Sequence, residues 1–280
     1  MKRACSRSLP WLFVGMLAIL LWAAPLTSIA AQVDTVAVPS AAMGKTSPAV
    51  VVLPERYVTT QERFPVVYLL HGWSGSYRDW PTKASLGPLA DRYGFIIVCP
   101  DGGYAGWYVD SPLRKDSQYE TYIAKEVVDY IDAHYRTIAD STGRFLCGLS
   151  MGGHGAFTLL AKHPERFAGA GCMSGAMTLP PGTRRAGLAD VLGEYEQASR
   201  LWEENSALFL CARLVGRNKA IFIDCGTEDF LLDSNRQLHS RMLELKIPHD
   251  YTERPGAHTW AYWTNALEYH LLFFAKKMQQ

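Results

Sequence analysis

The sequence predicts an α/β fold, with a mostly parallel central sheet and helices on both faces. Three observations predict it. Short apolar runs at residues 64–70, 95–99, 145–149, 167–173 and 220–224 have the length and uniform hydrophobicity of strands buried on both sides. Segments with helical periodicity alternate with them, which implies parallel strands joined by right-handed crossovers. The run at 145–149 leads into Gly148-Leu149-Ser150-Met151-Gly152, a G-x-S-x-G pattern followed by a helix-forming stretch.

Taken in order, residues 33–38 and 49–53 read as an antiparallel opening pair, and 64–70 as the first central strand. Residues 85–93 form a short helix, with Pro88 near its start and Gly94 ending it. Strand 95–99 follows. Residues 119–135 are helical, with Tyr122, Ile123, Val127, Tyr130 and Ile131 on one side. Strand 145–149, helix 153–163 and strand 167–173 surround the G-x-S-x-G turn. Residues 186–214 are a mostly helical excursion. Strand 220–224, helix 234–245, a short strand at 250–253 and a closing helix at 260–276 complete the chain.

The first 31 residues stand apart. Lys2, Arg3 and Arg7 precede a mostly apolar run over residues 9–26, and Ser28-Ile29-Ala30-Ala31 offers small residues for cleavage. This pattern predicts a signal peptide at 1–31, cleaved after Ala30 or Ala31, and a protein that is secreted or periplasmic. The rival reading is an uncleaved membrane anchor. Residues 32–280 are then a single domain, with no membrane association in the mature form. Hydrophobic residues make up 48% of the chain, enough for a large core, and the net charge of +1 leaves no electrostatic footprint for nucleic acid.

Beyond the leader the cysteines are Cys99, Cys147, Cys172, Cys211 and Cys225, an odd number that cannot pair completely. Four lie in strand-like apolar runs, so core packing is the expectation. No Cys-x-x-Cys or His/Cys cluster points to a metal, and Gly102-Gly103 lacks the Gly-Lys-Ser/Thr of a phosphate loop, so neither metal nor cofactor is expected.

Chemistry should collect at the carboxyl ends of the strands. Ser150 is the candidate nucleophile, on a strained turn whose flanking glycines let neighbouring chain pass close by. A serine hydroxyl needs a base and an anion hole to act. The loop after residues 64–70 carries His71-Gly72-Trp73. The backbone N–H groups of Trp73 and Met151 are the expected oxyanion donors, with His71 as a structural hydrogen-bonder. The order Ser…Asp…His calls for an acid in the loop after residues 220–224, where Asp224, Glu228, Asp229 and Asp233 compete. Asp229 is favoured because it follows the turn at Gly226 and precedes apolar residues; Glu228 is next. His258, in a Gly-containing loop before the last helix, completes the set as general base. Of the other histidines, His154 is expected to pack the start of the helix after the turn. Trp107 and Tyr108, in a Gly-rich loop after a central strand, are candidates to line a substrate pocket.

These stretches also resemble a known family. Tyr68-Leu69-Leu70-His71-Gly72, Trp107-Tyr108-Val109-Asp110-Ser111, Gly148-Leu149-Ser150-Met151-Gly152-Gly153, Cys225-Gly226-Thr227-Glu228-Asp229-Phe230-Leu231 and Gly256-Ala257-His258-Thr259-Trp260 are similar to the esterase family that includes esterase D-type enzymes, tributyrin esterases, feruloyl and acetyl-xylan esterases and mycolyl transferases. The resemblance implies an α/β-hydrolase fold and a Ser150–Asp229–His258 triad. It implies a serine carboxylic-ester hydrolase working through an acyl-serine, on small-molecule or glycan-linked esters carrying short acyl, acetyl or feruloyl groups. Acyl transfer by the same triad, and thioester hydrolysis of the S-formylglutathione type, are its alternatives. A catalytically silent binding protein on the same scaffold is disfavoured, because all three triad positions are present.

Overall fold

In the computed structural model, which describes residues 31–279, one eight-stranded sheet organises the chain. The strands are β1 (Gln32–Ser40), β2 (Lys45–Leu53), β3 (Val66–Leu70), β4 (Ile96–Pro100), β5 (Arg144–Leu149), β6 (Gly169–Met173), β7 (Ala220–Gly226) and β8 (Asp250–Arg254), in spatial order β1-β2-β4-β3-β5-β6-β7-β8. β1 pairs with β2, and β2 with β4, antiparallel; every pair from β4 to β8 is parallel. The expected signal peptide lies outside the described residues, apart from its final position.

The helices are α1 (Glu55–Thr59), α2 (Asp79–Lys83), α3 (Leu86–Tyr93), α4 (Tyr119–Thr121), α5 (Val128–His134), α6 (Met151–Lys162), α7 (Leu188–Leu192), α8 (Tyr195–Glu204), α9 (Ala207–Leu210), α10 (Leu232–Glu244) and α11 (Trp260–Lys277). A π-helical stretch, Tyr122–Val127, joins α4 to α5, so the expected helix at 119–135 exists but is wound more loosely in its middle. The 186–214 excursion is broken into several short helices rather than one. α1 and α2 are short enough to leave no periodicity in the sequence.

Alternation along the strands divides the core into two layers. Tyr68 and Leu70 of β3, Val98 of β4 and Leu146 of β5 face the layer built by α5 to α10. Val67, Leu69, Ile97, Phe145 and Cys147 face the layer built by α2, α3 and α11. β3 to β6 are buried along their whole length, which is why they read as unbroken apolar runs. The five cysteines are free and buried, in keeping with the packing role expected of them. Among the described residues no helix is long and apolar enough to cross a membrane, and no three His, Cys, Asp or Glu side chains gather as a metal site.

Two of the three histidines buried among the described residues show how acid weakens this core. Burial lowers the pKa of His154 to about 4, and burial together with the positive charge of Arg254 lowers that of His270 to about 3. His154 Nε2 lies 2.8 Å from the Asn205 carbonyl, and His270 stacks on Phe222. Both are neutral in the fold, whereas unfolded imidazoles take up protons near pH 6.5. From there down to about pH 4 the unfolded state holds the extra protons, so stability falls as pH falls. Urea unfolding at pH 7.5 and pH 5 should show this loss. In His270→Leu the difference between the two pH values should shrink by about 2 kcal/mol.

Candidate active site

Ser150 is the single residue between β5 and α6, with φ 53° and ψ −117°. That positive φ costs about 1–3 kcal/mol for a residue with a Cβ and persists only where the surroundings enforce it. They do so through two glycines. A Cβ on Gly148 would stand 2.5 Å from the Gly152 carbonyl oxygen, and one on Gly152 would stand 2.5 Å from the Leu70 oxygen and 2.6 Å from that of His71. β5, the start of α6 and the end of β3 therefore touch backbone to backbone. α6 begins at Met151, two residues earlier than its periodicity suggests, so the Met151 N–H opens a helix and has no carbonyl of its own turn to bond.

The loop after β3 is pinned from several sides. His71 Nε2 accepts the Gly102 N–H at 2.8 Å, and its Nδ1–H donates to the Gly72 carbonyl at 2.8 Å. Burial lowers the His71 pKa, which keeps Nε2 free to accept. His71 is thus structural, as expected, tying the loop after β3 to the loop after β4. Trp80 Nε1 donates to the Leu70 carbonyl at 3.0 Å, and the Ser74 N–H to that of Tyr104 at 2.7 Å. Trp73, between Gly72 and Ser74, stands at the wall of the cavity that opens above Ser150.

The three distant side chains meet. His258 Nε2 lies 3.0 Å from Ser150 Oγ, and its Nδ1 lies 2.8 Å from Asp229 Oδ2. The Asp229 side chain is shut off from solvent, and its Oδ1 accepts the Leu231 N–H at 2.8 Å. Burial pushes its carboxyl pKa up, but hydrogen bonds from His258, Leu231 and Ser174 outweigh burial and hold it below the ordinary value. Of the competing acids, Glu228 is exposed and Asp233 is exposed at the cavity rim. Asp224, wholly buried, is bound by Arg254 and the Tyr262 hydroxyl; burial still raises its pKa despite them. The loops bearing Asp229 and His258 are joined by backbone bonds, Thr227 N–H to Arg254 O and Glu228 N–H to Gly256 O, each 2.9 Å.

A cavity of about 900 Å³ opens over this arrangement, with Trp73, Trp107, Phe230, Trp260 and Trp263 in its wall. Trp107 therefore stands where the sequence placed it, with its Nε1 donating to the Ala186 carbonyl at 3.0 Å. Tyr108 does not. It is fully buried outside the cavity wall, and its hydroxyl donates to the His71 carbonyl at 2.9 Å. Both residues have positive φ, 53° and 56°, and the sharp turn sends the two rings in different directions. Trp263 is one of several aromatic residues that crowd the site loops in the sequence, whereas Ser174 and Phe230 are neighbours of the site that the residue pattern does not single out. Phe230 packs 4.5 Å from the His258 ring while staying largely exposed. Ser174 and Trp263 sit behind the histidine; the sequence signal for Ser174 is a Ser-Gly pair directly after an apolar strand.

The sheet order, the turn at Ser150 and the placement of the site at the carboxyl ends of parallel strands are those of an α/β-hydrolase. The chain belongs to the esterase family: residues 40–274 match the family model described as "Putative esterase". A protein of Mycobacterium tuberculosis named as an esterase is 34% identical over 238 residues, covering 74% of this chain and 51% of the relative; the chain spans about half the length of that relative. An acetyl esterase of Caldicellulosiruptor saccharolyticus is 27% identical, covering 74% of this chain and 84% of its own. A solved ferulic acid esterase is 30% identical with a TM-score of 0.77, covering 89% of this chain and 99% of that one.

The close backbone contact at the turn has a measurable consequence. Gly152→Ala pushes a methyl group into the carbonyls of Leu70, the last residue of β3, and of His71 just after it, and should cost about 1–3 kcal/mol or more in chemical denaturation. Gly182→Ala, where nothing lies within 4 Å of the added methyl, should stay within about 0.5 kcal/mol of the parent.

Proposed function

We propose that this protein is a serine carboxylic-ester hydrolase in which Ser150, His258 and Asp229 form the catalytic triad. The observation that carries the reading is the unbroken hydrogen-bonded chain from the Ser150 hydroxyl through both His258 nitrogens to a buried, ionised Asp229. With its proton on Nδ1, held by Asp229, His258 presents a lone pair at Nε2 to the Ser150 O–H. Ser150 Oγ attacks the ester carbonyl carbon as its proton passes to Nε2. The carbonyl oxygen becomes an oxyanion, received by the N–H groups of Met151 and Trp73. As the tetrahedral intermediate collapses, the bond to the alcohol breaks and His258 returns its proton to the leaving oxygen. Water then repeats the sequence on the acyl-Ser150 and releases the acid. Asp229 keeps the imidazolium oriented and balanced in charge throughout. Loss of one oxyanion donor would slow turnover about 10²- to 10³-fold.

The substrates in this reading are small-molecule or glycan-linked esters of short acyl, acetyl or feruloyl groups. Support comes from a cavity of about 900 Å³ walled by aromatic rings, and from relatives named as acetyl esterase and ferulic acid esterase. The basic, apolar and small-residue order of residues 1–31 supports export, with the mature protein acting outside the cytoplasm and off the membrane. Nucleic acid is not a partner in this reading, since the chain carries a net charge of only +1.

The test is hydrolysis of p-nitrophenyl acetate, p-nitrophenyl butyrate and methyl ferulate. Ser150→Ala should lower kcat by about 10⁴-fold or more, and Asp229→Asn by about 10⁴-fold. Glu228→Gln should leave kcat roughly unchanged, because the side chain is exposed and removed from the histidine. A fluorophosphonate should add one equivalent of mass to the parent and none to Ser150→Ala. Undiminished hydrolysis by Ser150→Ala would refute the assignment.

A further inference from the structure

We propose that Ser174 and Trp263 are positioning residues for the Asp229–His258 pair, acting through a closed ring of contacts in which the indole sets the direction of the serine hydroxyl. This rests on the acyl-serine reading above and extends it to two residues that do not touch the reacting atoms through their polar groups.

Ser174 follows β6, wedged between the strand that delivers Ser150 and the strand that delivers Asp229. The Ser150 N–H donates to the Met173 carbonyl at 2.9 Å, and the Ser174 N–H donates to the Asp224 carbonyl at 2.7 Å. Ser174 is fully buried and has φ 48°, a conformation that glycine adopts freely and serine does not. Such strain at a buried residue beside a reactive site points to a role for the side chain that is held there.

The hydroxyl has partners with opposite demands. Trp263 Nε1 lies 3.1 Å from Ser174 Oγ, and an indole nitrogen can only donate. Ser174 must therefore accept from Trp263, which leaves its one proton for another acceptor. Two acceptors lie within its reach, the Cys225 sulfur and the Asp229 carboxylate, and the carboxylate, as an anion, is the stronger; it also accepts from the His258 ring and the Leu231 N–H. The ring closes through Trp263, whose indole packs edge-on against the His258 imidazole at 4.8 Å and 89°. Trp263 lies in the first turn of α11, so the helix that follows the histidine loop braces the imidazole from behind.

The consequence is a histidine fixed in two ways. Its Nδ1–H points at a carboxylate whose own orientation is set by two further donors, and its plane is set by the indole. Of the other titratable groups nearby, Cys225 also bonds the Ser174 hydroxyl, but a neutral thiol is a weak acceptor beside a carboxylate. Burial keeps the Cys225 thiol protonated, with its pKa pushed up to about 12, and Asp224 faces Arg254 and Tyr262. Without the Ser174 proton, more of the Asp229 charge faces the imidazole. The imidazolium is then favoured while its orientation is loosened.

Ser174→Ala, Trp263→Phe and the double variant test this, assayed beside Ser150→Ala. Ser174 is not in the cavity wall, so Ser174→Ala should lower kcat about tenfold or more with KM little changed. The acid limb of kcat/KM should move to higher pH, and the low-field proton resonance of the His258 Nδ1–H should shift or broaden. Trp263→Phe keeps a ring against His258 but loses the donor, and should show the same proton-resonance change. The double variant, which removes both hydrogen-bonding partners at once, should fold and should fall little further than the worse single variant. Folded single and double variants with parental kcat, pH profile and resonance would overturn the proposal while a dead Ser150→Ala left the acyl-serine reading standing. An active Ser150→Ala would overturn both.

Discussion

Ser150 holds a positive φ because the chain must pass from a strand into a helix within one residue, and β3, β5 and α6 meet so closely there that no side chain fits between them. Gly148 and Gly152 are the points of contact. From that turn follow the height of the serine hydroxyl above the sheet and the direction of the first amide of α6. Every other group in the site is arranged around a position that the backbone has already set.

The arrangement around it is electrostatic and sheltered. Asp224 and Asp229 stand close in sequence, both buried and both subject to the same desolvation. Their partners separate them. Asp224 accepts from Arg254 and the Tyr262 hydroxyl and braces the base of the histidine loop, while Asp229 accepts from His258 and the Leu231 N–H and is held ionised. Two carboxylates on neighbouring turns of chain thus take different roles because one meets a guanidinium and the other an imidazole.

Much of the fold was legible because the strong signals are local. Buried parallel strands read as short apolar runs, and the G-x-S-x-G turn stands between one such run and a helix. Ser150, Asp229 and His258 could be chosen from their places at strand ends, and the structure brings all three together. Tyr108 could not be separated from Trp107 in the same way. The two are adjacent in an aromatic, Gly-rich loop, and only the local backbone turn decides which ring reaches the cavity. The π-helical stretch within 119–135 was equally hidden, since its residues keep an apolar face at either pitch.

Residue order by itself determined the strand and helix types, the turn at Ser150 and the chain order of nucleophile, acid and base, because each is written in hydrophobic period or in glycine placement. Tertiary structure decided the strand order, with β4 between β2 and β3. It also decided which of four acids faces His258, and that Ser174 and Trp263 stand behind it. These depend on which distant segments touch. Contacts across the sheet are set by shape and burial, which no short stretch of sequence contains.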